Sequence, residues 1–124
     1  MAMREAYVHK VSAYYRITET GADRVHSVLD ALRANHPLVY GTDVGENWMA
    51  YQAGQVLQLP ETTLGGHATH LVGWDDSRGV FIGENSWGTR WGDDGYYVLA
   101  PEVIADPCSR DFWVITGSWE AVHP

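Results

Sequence analysis

The sequence has little of three things that would direct its function: cysteine, basic charge and long apolar runs. Its 124 residues include one cysteine, Cys108, which excludes an internal disulfide and favours a reducing compartment. Eight lysines and arginines stand against sixteen acidic residues, giving a net charge of -8. This balance argues against binding nucleic acid through a basic patch.

No apolar run approaches the length of a membrane span, and residues 1–10 lack the apolar core of a signal peptide. The sequence therefore predicts a cytoplasmic, intracellular protein without membrane contact. Hydrophobic residues make up 45% of the chain, enough to bury a core. Because no linker or internal repeat interrupts the sequence, residues 1–124 are expected to form a single domain.

The first third of the chain predicts a strand and one main helix. Residues alternate between apolar and polar over Val11–Ile17, as in a half-buried strand. Thr20 followed by Asp23 indicates a helix start of the capping-box kind, and Asn35 with Pro37 indicates its end. Four residues at helical spacing form one apolar stripe between these points: Val25, Val28, Leu29 and Leu32.

The remaining two thirds predict mostly strands. Two short helical turns are expected over Glu46–Ala53, a loop over Gln55–Leu64, and a connection that can hold a helical turn over Pro101–Pro107. The predicted strands are Leu38–Val44, His67–Trp74, Val80–Gly83, Tyr96–Leu99 and Phe112–Trp119. Together these elements predict an α+β fold: a mainly antiparallel sheet, curled or barrel-like, with one main helix.

One stretch, Gly65 to Leu99, concentrates the unusual residues. It reads GGHATHLVGWDDSRGVFIGENSWGTRWGDDGYYVL. His67 lies in its strand-like first half, and Asn85 stands between an acid and a tryptophan beside several glycines. Glycines allow backbone conformations closed to other residues at an entropic cost, so a site is expected here.

This stretch resembles the C-terminal lobe of the papain-like cysteine peptidases. The matching residues are His67-Ala68, Leu71-Val72-Gly73-Trp74, and Asn85-Ser86-Trp87-Gly88 continuing through Trp91-Gly92 to Gly95-Tyr96. More weakly, the likeness extends over nearly the whole chain, and it implies a small β-barrel with a helix. The family's other lobe, which carries the nucleophilic cysteine, has no counterpart in this sequence.

The resemblance implies a role for each residue of the motif. His67 would be the general base, and Asn85 would orient it by accepting a hydrogen bond from the imidazole. Trp87 would shield that hydrogen bond from water, and Ser86 would support the turn. Glu84 departs from the lysine that the family commonly has there, and a carboxylate pointing inward would favour a protonated His67.

The sequence suggests two further hypotheses, a metal site and a catalytic role for Cys108. His67 and His70, with Asp75 and Asp76 downstream, suggest a metal site, but residues three apart on a strand point to opposite faces. No metal or cofactor is therefore predicted. Cys108 follows the motif without a helix N-terminus or cation nearby, so a small buried hydrophobe is expected rather than a nucleophile.

Three functions remain open. The first is a non-catalytic lobe that binds a protein partner, or a second copy of itself, through the face carrying His67, Asn85 and Trp87. Small inhibitor and virion proteins made by phages and mobile elements would be of this kind. The second is the His/Asn half of a split cysteine peptidase, completed by a separate cysteine-bearing chain. The third, least favoured, is an active single-lobe enzyme using Cys108.

Overall fold

The computed structural model describes residues 13–116. Within them lie six strands and three helices. The strands are β1 (Tyr14–Ile17), β2 (Leu38–Val44), β3 (Gly65–Asp75), β4 (Val80–Glu84), β5 (Tyr96–Leu99) and β6 (Ser109–Ile115). The helices are α1 (Gly21–Arg33), α2 (Glu46–Met49) and α3 (Pro101–Ala105).

The strands form one sheet in the order β1-β6-β2-β3-β4-β5, and every neighbouring pair is antiparallel. The mainly antiparallel α+β prediction is confirmed. The barrel is not: among the described strands β1 and β5 are the two ends of the order, so the sheet is open. Closure would require these two edge strands to pair.

Alternation along the strands divides the sheet into two faces. In β2 the side chains of Leu38, Tyr40, Thr42 and Val44 are buried, whereas Val39 is 42% exposed. We call the buried side the inner face, and the side carrying Val39 the open face. The three helices contribute to the core cluster on the inner face through Val28, Ala31 and Leu32 of α1, Trp48 of α2, and Val103 and Ile104 of α3.

Helix α1 begins where the sequence predicts, but without the predicted cap. Thr20 is the N-cap residue and has extended backbone angles, yet its side chain makes no capping hydrogen bond. The backbone carbonyl of Thr20 accepts the N–H of Arg24, the first hydrogen bond of the helix. The helix ends at Arg33, and Asn35 follows in the left-handed region with φ 64°. Its apolar stripe packs on the core as expected.

Several other boundaries differ from the sequence prediction. Helix α2 is a single turn rather than two. Strand β6 begins at Ser109 rather than Phe112, and its pairing with β2 shifts register between Val39 and Gly41. The predicted strand residues 11–12 and 117–119 lie outside the described part of the chain.

The loop after α2 runs along the outer side of β5. The N–H of Leu57 donates to the Val98 carbonyl, and the N–H of Ala100 donates to the Leu57 carbonyl, both at 2.9 Å. Leu57 is buried in the core, which fixes the loop at this point. None of the helices within residues 13–116 is long and apolar enough to cross a membrane.

Candidate active site

The site is built where β3 begins and β4 ends. His67 lies on β3 opposite Thr42 of β2, and Asn85 directly follows β4. Since β3 and β4 are antiparallel neighbours, the start of one and the end of the other lie at the same end of the sheet. Topology alone therefore brings the two side chains together.

His67 and Asn85 form a short hydrogen bond, with 2.6 Å between Nε2 and Oδ1. The same Oδ1 accepts the backbone N–H of Ser86 at 2.8 Å. An N–H can only donate, so this second contact identifies the atom as the amide oxygen and requires a proton on Nε2 of His67. In the neutral imidazole the lone pair is then on Nδ1, which is the form that a general base needs.

The turn after Asn85 is held by its backbone. The N–H of Asn85 donates to the Gly95 carbonyl, and the N–H of Gly95 donates to the Trp91 carbonyl, both at 2.9 Å. Gly92 has φ 63°, and a Cβ there would lie 2.5 Å from the Tyr96 carbonyl oxygen. Position 92 therefore requires glycine. Asn85 itself is 8% exposed, so its amide is fixed in a protected position.

Aromatic rings surround the hydrogen bond. The ring of Trp87 lies 4.7 Å from the imidazole at an interplanar angle of 34°. Trp48 of α2 meets the imidazole at 6.3 Å and 75°, and Trp91 stacks on Trp48 at 6.1 Å and 13°. Nothing in their spacing indicates contact with the site, because the contacts cross a long loop.

Ser86 contributes through its backbone. Its N–H donates to Asn85, while its exposed hydroxyl makes no hydrogen bond within residues 13–116. Ser86 therefore lies beside the site without presenting a nucleophile to it.

Glu84 and His70 lie on the other side of the sheet. They are register partners on β3 and β4, and His70 Nε2 lies 3.1 Å from Glu84 Oε1. The Glu84 carboxylate therefore faces His70 on the open face and not His67, contrary to an inward-pointing acid. His67 and His70 point to opposite faces, and no group of three or more potential metal ligands forms among the described residues.

Cys108 is not brought to the imidazole. It lies next to β6, which is two strands from β3, a separation of about 10 Å in a sheet. Its Sγ contacts the Val103 carbonyl oxygen at 3.8 Å and Ser109 Oγ at 3.9 Å. Burial raises the pKa of the thiol above its ordinary value, the opposite of what an activated nucleophile needs.

With this geometry in view, the comparisons identify the class of protein. The model of the papain family of cysteine proteases matches residues 2–110, most of the chain. The chain belongs to the papain family. The resemblance of the His67–Asn85 motif to that family is confirmed.

Three members of the family show how much of a complete relative this chain matches. The chain is 35% identical to an uncharacterized peptidase C1-like protein of Acanthamoeba polyphaga mimivirus, over 92% of this chain and 40% of that protein. It is 32% identical to cathepsin B-like cysteine proteinase 6 of Caenorhabditis elegans, over 77% of this chain and 25% of that protein. The structure of xylellain, a cysteine protease from Xylella fastidiosa, matches with a TM-score of 0.72 and 30% identity, over 87% of this chain and 41% of that one. The chain thus spans less than half the length of these relatives.

Proposed function

We propose that this domain supplies the proton-handling half of a cysteine-peptidase site, completed by a lobe outside this sequence that carries the nucleophilic cysteine. The observation that carries the proposal is the 2.6 Å hydrogen bond from His67 Nε2 to Asn85 Oδ1, whose direction leaves the Nδ1 lone pair free. A domain used only for recognition has no chemical need for this arrangement.

In the proposed reaction, His67 Nδ1 takes the proton of the incoming thiol. The thiolate attacks the carbonyl carbon of a peptide bond, and the resulting imidazolium gives its proton to the leaving amine. Water then hydrolyses the thioester, with His67 removing a proton from the water and returning it to the cysteine sulfur. Asn85 holds the ring through both halves of the cycle, and the surrounding tryptophans keep competing water away.

The open face offers exposed apolar surface to a protein partner. Tyr14, Trp113 and Val39 lie across β1, β6 and β2, each at least 36% exposed, and Tyr14 and Trp113 make an edge contact at 5.7 Å. Exposed apolar surface of this kind marks an interaction site on a small domain. Ala68 is also exposed on this face, whereas its neighbour His67, the register partner of Thr42, points to the inner face.

The charges of this face are already paired. Two ion pairs flank the apolar residues, Arg16–Asp111 and Arg110–Asp43, both at 3.0 Å, and His70 Nε2 lies 3.1 Å from Glu84 Oε1. A partner face is therefore expected to be apolar and nearly neutral, although the whole chain carries a net charge of -8.

The experiment combines the chain with the part of the mimivirus relative that lies outside the matched residues, produced as a separate polypeptide to serve as the cysteine lobe. Hydrolysis of a fluorogenic peptide is expected only when both are present. It should be lost in His67→Ala and kept in Cys108→Ser. His26→Ala, on the exposed side of α1, is the matched histidine control. Hydrolysis that survives His67→Ala would refute the proposal.

The paired charges and the apolar residues of the open face also favour a second candidate, a non-catalytic lobe that binds protein. In the same experiment this candidate predicts a stable complex, detected by size-exclusion chromatography, without turnover. A thiol-reactive peptidase probe separates the two functions: labelling of the cysteine lobe that depends on His67 supports the catalytic one.

A further inference from the structure

The imidazole of His67 is held by two rings from different parts of the chain. Trp87, from the turn after Asn85, lies partly over it at 4.7 Å and 34°. Trp48, from α2, meets it at 6.3 Å and 75°. Because the two rings are inclined differently to the imidazole, together they restrict both its tilt and its rotation out of the Asn85 hydrogen bond.

Trp48 is itself tightly fixed. It is fully buried, its ring stacks on Trp91 at 6.1 Å, and it lies 4.9 Å from the ring of Tyr97. Its backbone carbonyl accepts the indole N–H of Trp91 at 2.7 Å. The short helix α2 therefore presents a rigid surface to the site rather than a mobile one.

The burial of Trp48 leaves one of its polar groups without a hydrogen bond. The indole N–H of Trp48 is buried and has no acceptor among the described residues. A buried N–H without a partner is unfavourable, and a phenylalanine would fill the core without it. What the larger indole adds is reach: one ring contacts His67, Trp87, Trp91 and Tyr97 at once.

We propose that Trp48 is a positioning residue for His67: its indole holds the imidazole in the orientation that the Asn85 hydrogen bond requires. The value of this for catalysis rests on the proposed function. The effect on the imidazole itself does not, and it can be measured on the chain alone.

The test follows the Nε2 proton of His67 by nitrogen-15 NMR in Trp48→Leu and Trp48→Phe. We expect exchange of this proton with water to be at least about tenfold faster in Trp48→Leu and roughly threefold faster in Trp48→Phe, with backbone amides of β2 and β3 still protected. A merely structural role would lower the protection of the ring proton and the amides together.

Trp74→Leu is the matched control. Trp74 also packs on the core, but against Phe81 at 4.8 Å rather than at the site. The Trp74→Leu variant should leave the exchange rate of the His67 Nε2 proton unchanged. An unchanged exchange rate in folded Trp48→Leu, or an equal change in Trp74→Leu, would overturn the proposal. If Trp48→Leu does not fold, Trp48→Phe decides: a wild-type rate there would overturn it equally. Since no cysteine lobe is present, this result is independent of whether the peptidase can be reconstituted.

Discussion

The ring of Tyr97 occupies the space that a side chain at Gly83 would need. The two residues are register partners on β5 and β4, and a Cβ built on Gly83 would overlap the Tyr97 ring. Tyr97 is 1% exposed and cannot move aside without disturbing the core. The absent side chain at position 83 is therefore what admits this tyrosine beneath the site.

Gly83→Ala is expected to lower the free energy of unfolding by about 1–3 kcal/mol, because overpacking forces neighbouring side chains from their rotamers. Urea denaturation measures the loss. Gly73→Ala, on the adjacent strand, is the control: its Cβ would meet only Ile82, at 3.6 Å from Cδ1 and 3.8 Å from Cβ, which are ordinary contacts. Equal losses in the two variants would contradict the steric explanation.

The hydroxyl of Tyr97 makes stability depend on alkaline pH. It lies 2.9 Å from the Tyr40 hydroxyl and 3.1 Å from Thr69 Oγ1. Burial raises the pKa of both tyrosines well above the ordinary value. Above about pH 10 the unfolded chain loses protons that the folded state keeps, so the free energy of unfolding falls as pH rises.

Tyr97→Phe removes one of these protons. The alkaline slope of the free energy of unfolding should become shallower by about 1.4 kcal/mol per pH unit. Denaturation titrations above about pH 10 measure the slope. Tyr96→Phe, at a neighbouring position that is 42% exposed, is the matched control. The same slope in wild type and Tyr97→Phe would show that burial of Tyr97 does not govern alkaline unfolding.

Arg24 links α1 to the end of α3 and the start of β6. One guanidinium nitrogen, Nη1, donates to the carbonyls of Ile104, Ser109 and Asp106 at 3.1, 2.8 and 3.4 Å. Nε of the same guanidinium donates to the Glu19 carbonyl at 3.2 Å. Arg24→Lys keeps the charge but has a single donor nitrogen and cannot make both sets of contacts, so we expect the free energy of unfolding to fall by about 1.5–3 kcal/mol in thermal or urea denaturation.

Arg33→Ala is the control for Arg24. Arg33 makes an exposed pair with Asp76, so its loss should cost about 0–1 kcal/mol. A cost for Arg24→Lys no larger than for Arg33→Ala would mean that the carbonyl contacts add little.

Asn85→Ala tests the orientation of the imidazole. Without the amide oxygen, the Nε2 proton of His67 loses its acceptor, so nitrogen-15 shifts should change from a single tautomer to a mixture of two. Ser86→Ala should not alter the tautomer, because it keeps the backbone N–H that contacts Asn85. If Ser86→Ala shifts the tautomer as strongly as Asn85→Ala, the hydroxyl has a part that the structure does not indicate.

Much of the fold follows from the sequence because local pattern and final environment agree. Leu38–Val44 and Tyr96–Leu99 have the predicted bounds, since alternating burial on a sheet with one covered face leaves a clear signal. Thr20 shows the limit of such signals. Its position as N-cap is correct, but the side-chain bond depends on a rotamer that the spacing to Asp23 does not determine.

Only the site residues that belong to the sequence motif could be predicted. The motif places His67 and Asn85, and β3–β4 pairing brings them together. The partner of Glu84 is decided by register, which pairs it with His70 on the other face. Trp48 is missed for a related reason: its contact with His67 depends on how a single helical turn packs after the chain has folded.

The loop through Leu57 has a last consequence. By exchanging backbone hydrogen bonds with Val98 and Ala100, it uses the groups that the outer edge of β5 would otherwise offer to a neighbouring molecule. That border of the sheet cannot be extended by a foreign strand. Another polypeptide that binds at the β5 edge must therefore recognise side chains, because the backbone of this edge strand is already paired.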